Sequence, residues 1–226
     1  MSNSRSIWLL LLVALITSVI CGGTPESMAT PEIVLSASIG PSLPVVRHFV
    51  LADCPEALVE PRLSYAAGLI FGRQAIVADA CGSLCLEYSH ITEATDTQTL
   101  LPGLTWAEGV AHMRTSLTAI MLYARLSTPG RLSPYVQIGL GTARLDFAEV
   151  YSSPDLPDAE FHSWRFAYGG AAGAQYTISQ QLRAGVFLNG IVAPGDVITK
   201  RFNDIETGFL EGKTSLFAGL NLEVTL

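Results

Sequence analysis

Two adjacent pairs in this chain, Ser89-His90 and His162-Ser163, carry the residue types of a hydroxyl nucleophile and an imidazole base. Each lies in a stretch with apolar residues at every second position. That is strand periodicity, and neighbours on a strand point to opposite faces. Neither pair can act on itself, so a dyad would need partners on different strands. His48 and His112 stand alone and read as loop or rim residues. No Gly-rich phosphate loop, metal-ligand cluster or Gly-x-Ser-x-Gly elbow occurs, so the chain is not expected to be an enzyme or to hold a metal or cofactor. A second set is the charges inside periodic stretches: Glu87, Arg114, Arg165, Arg183 and Glu223. On the inner face of a narrow closed sheet they would lose their water and need partners.

The elements that must position these residues are short amphipathic strands. From Lys213 to Leu226 the chain alternates strictly. Leu216, Ala218, Leu220, Leu222, Val224 and Leu226 form a greasy face, and Ser215, Phe217, Gly219, Asn221, Glu223 and Thr225 a largely polar one. The same period predicts strands over Glu32–Gly40, Leu63–Phe71, Met113–Leu126, Pro134–Phe147, Phe161 to about Ile178, and Leu182–Ala193. Another includes Ile76–Tyr88, either from Ala75 after a turn at Gly72-Arg73-Gln74 or with Asp79–Gly82 in the turn. Met113–Leu126 is apolar on both faces at Ala119–Tyr123 and could be a buried helix; its neighbours favour a strand. Ser127–Arg131, with Pro129-Gly130 at its centre, and Ser179–Gln181 are short turns. Residues 41–61, 92–109, 149–160 and 194–212 read as longer loops, and they hold much of the charge.

Composition fits strands that meet lipid. Charged residues make up 15% of the chain, against about 25% in soluble domains. Mean hydropathy is +0.38. Yet no segment after residue 20 is continuously apolar over the roughly 18 residues of a spanning helix. Net charge is −7 with no basic patch, which argues against nucleic acid as a partner. Arg5, the apolar run Ile7–Ile20 and the small residues Ser27 and Ala29 predict a cleaved export signal over 1–29 and a mature domain over 30–226. A retained signal anchor and acylation at Cys21, which follows the large Ile20, are the alternatives. Cleavage would leave Cys54, Cys81 and Cys85. Cys81 and Cys85 lie on one strand face roughly 13 Å apart, too far to bridge.

Eight strands alternate long and short connections, with charge on the long ones. That is the pattern of an up-and-down transmembrane β-barrel with its termini and short turns on the periplasmic side. Gly, Ala and Ser crowd the second face of several strands, as a tight lumen requires. Trp164–Tyr168 and Tyr176 read as two interface girdles on one strand. The alternative is a secreted lipocalin-like barrel with its greasy face inward around a small apolar ligand.

At Pro134-Tyr135-Val136-Gln137-Ile138-Gly139-Leu140-Gly141 the chain resembles the small OmpA/OmpX-type and opacity-type outer-membrane barrels. Ala171-Ala172-Gly173-Ala174-Gln175-Tyr176 and Phe217-Ala218-Gly219-Leu220-Asn221-Leu222 extend the likeness, which covers about Ile33 to Leu226. The resemblance implies an all-β, eight-stranded antiparallel barrel in the outer membrane of a diderm bacterium, with four loops outside and a structural or surface-interaction role. Its partners would be outer-membrane lipid and, during biogenesis, periplasmic chaperones and the barrel-assembly machinery; the extracellular ligand stays unspecified. It also implies that Glu87, Arg114, Arg165, Arg183 and Glu223 form an ion-pair network plugging the lumen. Phe217, Gly219, Leu222, Val224 and Leu226 would carry the assembly signal, although such chains commonly end in Phe rather than Leu. A few eight-stranded relatives modify lipid with Ser and His near the outer rim, which keeps a cross-strand dyad as a minor alternative.

Overall fold

The computed structural model describes residues 33–43, 58–77, 80–97, 111–150, 159–202 and 205–226. The predicted export signal, with Cys21, and also His48 and Cys54 lie outside them. The strands are β1 (Ile33–Leu43), β2 (Leu58–Pro61), β3 (Leu63–Val77), β4 (Ala80–Thr97), β5 (Ala111–Ser127), β6 (Leu132–Val150), β7 (Ala159–Thr177), β8 (Leu182–Phe202) and β9 (Ile205–Thr225). Only Arg62 separates β2 from β3, and both pair with β4, so the two form one stave. Ser42 and Arg62 stitch this break to β1: the Ser42 amide donates to the Arg62 carbonyl at 2.8 Å, and the Arg62 amide to Ser42 Oγ at 2.9 Å.

Eight staves pair antiparallel in chain order, and β1 pairs with β9 to close the ring. Closure satisfies main-chain groups that a sheet edge would leave bare in lipid. At the seam Ile39 lies opposite Leu220 and Val34 opposite Thr225, and the Leu226 amide donates to the Ile33 carbonyl at 3.0 Å.

The two-residue period sets the direction of every side chain. Ile39, Val136, Leu188, Leu220 and Leu222 point outward, with Val136 55% and Leu220 66% exposed. Ser64, Glu87, Gln137, Gln175, Asn189 and Glu223 point inward and are buried. A lipocalin-like barrel would require the reverse. Met113–Leu126 is a strand, within β5, rather than a helix. Its doubly apolar middle resolves into Ile120 and Leu122 outside and Met121 and Tyr123 inside.

The interior is tight because large side chains share it with glycines on neighbouring strands. Tyr123 lies opposite Gly139, and Tyr135 opposite Gly173. A Cβ on Gly139 would come 2.5 Å from Tyr123 Cδ1, and one on Gly173 would come 2.7 Å from the Tyr135 ring. Glycine at these two positions is what lets an aromatic ring lie flat across the inner wall.

Several boundaries differ from the sequence expectation. β3 runs through the expected turn at Gly72-Arg73-Gln74 to Val77. Gly72, at φ +64°, takes up a register shift between Phe71 and Gln74. The residues 194–212, expected as a loop, are largely a two-stranded ribbon in which β8 and β9 continue to Phe202 and Ile205. Pro194 has no N–H to donate, and the register shifts between Ala193 and Val197, so the ribbon departs from the wall there. β4, β6 and β7 likewise extend into the expected loops, to Thr97, to Val150 and from Ala159.

Candidate functional site in the barrel interior

The described polar residues of the interior fall into three tiers. Nearest the short turns, Arg125 on β5 reaches across the lumen to β9. Its Nη1 donates to Glu223 Oε1 at 2.5 Å and its Nη2 to Gln175 Oε1 at 3.0 Å. The guanidinium also lies 3.8 Å from the centre of the Tyr135 ring. Gln175 Nε2 donates to Asn221 Oδ1 at 2.7 Å, and Asn221 Nδ2 donates to Ser38 Oγ at 2.9 Å. Arg183 Nη1 stands 4.0 Å from the second oxygen of Glu223. This tier ties together β1, β5, β7, β8 and β9. Arg125, Gln175, Arg183 and Glu223 also line a small open cleft with Ser83, Ser127 and Ser133.

In the middle tier Glu87 on β4 accepts from Ser89 Oγ at 3.0 Å and from Asn189 Nδ2 on β8 at 2.8 Å. β4 and β8 are opposite staves, so this tier also crosses the lumen, one stave round from the first. Above it comes an apolar layer of Ile91, Leu117, Leu145, Ile191 and Phe217, all fully buried. Phe217 meets Phe187 edge-on, with ring centroids 4.9 Å apart. The loop-end tier holds Lys213 and Glu93, whose charged atoms are 3.8 Å apart. An ion pair this buried is held in place chiefly because losing one partner would strand the other charge out of water.

Of the residues singled out by sequence, Glu87 and Glu223 stand in separate tiers, each tied to a side chain across the lumen. Arg183 flanks Glu223. Arg165 is near the loop end, its Nε 3.4 Å from Ser163 Oγ. Arg114 is in β5 opposite Ala94 and Ala148 in register, and its side chain lies outside the described residues. Sequence reasoning missed Arg125, Glu93 and Lys213. It also passed over Asn189, Gln175 and Asn221 because they carry no charge. Arg125 shares its face with the apolar Tyr123, Met121, Ala119 and Leu117, and the other face of β5 is equally apolar, so counting in twos does not say which of the two is inner.

The Ser–His pairs split across the wall. Ser89 is inside, whereas His90 is outside with its Nδ1 2.9 Å from Thr118 Oγ1. His162 is exposed on the outer face, and Ser163 is on the inner one. The His112 side chain lies outside the described residues. Cys81 and Cys85 are free thiols on the inner side of β4.

No protein-family model matches the sequence. No curated protein matches it either. Among solved structures, a major outer membrane protein from Thermus thermophilus superposes with a TM-score of 0.53 at 10% identity, over 87% of this chain and 100% of that one. The chain has the fold of the small outer-membrane β-barrels. The outer membrane protease OmpT of Escherichia coli matches with a TM-score of 0.47 at 9% identity, over 90% of this chain and 100% of its own. Ail, the attachment invasion locus protein of Yersinia pestis, solved with the heparin analogue sucrose octasulfate, matches with a TM-score of 0.45 at 10% identity, over 87% of this chain and 99% of its own.

In an outer-membrane barrel fold the aromatic side chains on the outer wall belong at the lipid boundary. Trp164, Phe166 and Tyr168 crowd the outer face of β7 towards the loop end, with Trp164 60% exposed. Tyr65 and Tyr88 adjoin on β3 and β4, their rings 6.4 Å apart. Tyr176 marks the turn end, with the Arg131 guanidinium 5.0 Å from its ring centre. Above the loop-side aromatics the outer wall turns polar, with Arg144 Nε and Asp146 Oδ1 paired at 2.7 Å.

Proposed function

We propose that this chain is a non-enzymatic barrel of the outer membrane of a diderm bacterium. Its lumen is plugged, and it serves a structural or surface-interaction role through its four loop-side ends. One observation carries this reading: side chains from opposite staves meet inside the lumen. Arg125 bonds Glu223, and Asn189 bonds Glu87. Two crossings at different depths, with the apolar layer of Ile91, Leu117 and Leu145 above them, leave little room for a water column. The split Ser–His pairs support the non-enzymatic reading.

Both ends of the described wall, Ile33 and Leu226, lie beside the short turns. With an even number of staves, export through a signal peptide would leave this end in the periplasm and the long hairpins outside. β9 would be the segment read by the assembly machinery. Leu222, Val224 and Leu226 face outward and are exposed, whereas Phe217 is inside against Phe187.

Planar-bilayer conductance tests the plug. The refolded chain should show no wide, steady pore, and an open channel of porin size would refute it. Protease added to intact cells tests the orientation. Cuts should fall within 41–61, 92–109, 149–160 and 194–212, while Ser127–Arg131 and Ser179–Gln181 stay protected.

A further inference from the structure

Glu87 is a carboxylate without a cation of its own. It is 7% exposed, and it accepts from Ser89 Oγ at 3.0 Å and from Asn189 Nδ2 at 2.8 Å. Gln137 on β6 faces it as a third neutral donor. Among the described residues the cation that faces it is Arg125. That guanidinium is already bonded to Glu223 and Gln175 in the tier towards the turns. A carboxylate taken out of water is costly unless a positive charge compensates it.

Two oxygens beside it are also incomplete. Tyr123 Oη and Asn189 Oδ1 are buried without a hydrogen-bond partner, on side chains 0% and 2% exposed. Both belong to the surroundings of Glu87: Asn189 bonds it directly, and Tyr123 faces Asn189 and Glu87. Because Asn189 gives its amide nitrogen to the carboxylate, its carbonyl oxygen is the atom left over. The wall between the two groups is made of small residues. Tyr123 on β5 lies opposite Gly139 on β6, Gly139 opposite Gly169 on β7, and Ala171, one pleat along, opposite Asn189 on β8. Buried polar groups with no partner mark a place that something else completes. A water would satisfy the two oxygens and leave the carboxylate uncompensated. A divalent ion would overcompensate a single carboxylate. A monovalent cation matches the one negative charge, and carboxylate, amide and hydroxyl oxygens are the hard donors that hard cations take.

We infer that the middle tier binds one alkali cation of sodium or potassium type, held by Glu87, Asn189 Oδ1 and Tyr123 Oη. The inference rests on the plugged lumen, which seals the cation in. The apolar layer of Ile91, Leu117 and Leu145 closes the loop side, and the Arg125–Glu223 crossing closes the turn side. The cation therefore enters as the barrel closes and becomes part of the charge balance of the folded chain.

The test is the temperature at which the full-length chain, refolded in zwitterionic detergent, loses its folded, heat-modifiable band. The chain is refolded at each point of a series in which sodium chloride replaces choline chloride at constant ionic strength, choline being too large for the tier. A bound cation gives a saturating rise in that temperature, which Glu87→Gln removes. Tyr123→Phe, which loses one ligand oxygen, should raise the half-saturating sodium concentration about tenfold. Asp146→Asn, on the outer wall, should leave the titration unchanged. A rise that persists in Glu87→Gln, or none in the parent chain, overturns the proposal. Should Glu87→Gln fail to refold, Tyr123→Phe and Asn189→Ala decide, and an unshifted titration in both overturns it. If the parent chain responds to pH but not to sodium, and Glu87→Gln abolishes that response, the occupant is a proton and the cation is overturned. A wide, steady pore in the bilayer measurement would remove the plug and this site together, whereas a flat sodium titration in a non-conducting barrel removes the site alone.

Discussion

The Arg125–Glu223 pair makes the sharpest residue-scale prediction. Both side chains are almost wholly buried, at 6% and 2% exposure, and they join staves on opposite sides of the barrel. Replacing Arg125 with Met leaves Glu223 charged and dry, which should cost about 3–5 kcal/mol. Replacing both with Met should recover most of that loss, because an ion pair taken from water gains little over apolar packing. A double-mutant cycle on urea unfolding in lipid vesicles reads the difference. Additive losses would mean that the pair does not act as a unit. Gly139→Ala tests the packing beside Tyr123: a Cβ there would lie 2.4 Å from the Leu122 carbonyl oxygen, so overpacking should cost about 1–3 kcal/mol in the same assay. Glu87 and Glu223 were readable in the sequence as inward charges because clean alternation surrounds them. Arg125 was not, because the run Ala119–Tyr123 is apolar on both faces and hides which side is in. The uncharged bridging groups Asn189, Gln175 and Asn221 were invisible for another reason. An amide on an inner face looks like filler until the strand across the lumen is known.

Among the elements, β3 and β9 carry distinct consequences. Gly72 has no atom within 4 Å of where a Cβ would stand, so Gly72→Ala meets no clash. Its φ of +64° is nonetheless left-handed, and alanine should lose about 1–2 kcal/mol through the backbone alone. A measured loss near zero would show that the bulge relaxes. Deleting Leu222–Leu226 removes the pairing of Leu222 to Thr225 with Ala37 to Val34, and with it Glu223. The folded band should vanish after refolding, whereas Leu226→Phe should leave the yield equal or better. The staves themselves were legible from periodicity, and so were the turns at Ser127–Arg131 and Ser179–Gln181. Where the strands end was harder to see. Gly72-Arg73-Gln74 has the composition of a turn, yet pairing with β4 carries the strand through it as a bulge. The charged stretch after Pro194 reads as a loop because local composition says nothing of the partner strand that zips β8 to β9 as far as Phe202.

For the whole molecule, the greasy face turned outward makes lipid or detergent a condition of solubility. Removing it should precipitate the chain while its interior network is still intact. The closure of the wall was legible too, from an even number of staves and from a last strand as amphipathic as the first. What crosses the lumen was not, since it depends on which staves stand opposite. The seam has one more consequence. Because the Leu226 amide bonds to the Ile33 carbonyl, the wall is topologically a ring cut at a single point. Joining those ends with a short linker and opening the chain between Pro129 and Gly130 would move the cut four staves away and preserve every pairing between staves. Such a permuted chain should refold in detergent like the parent. In cells it would present the sequence of β9 internally, which separates what the order of residues does for insertion from what ending there does.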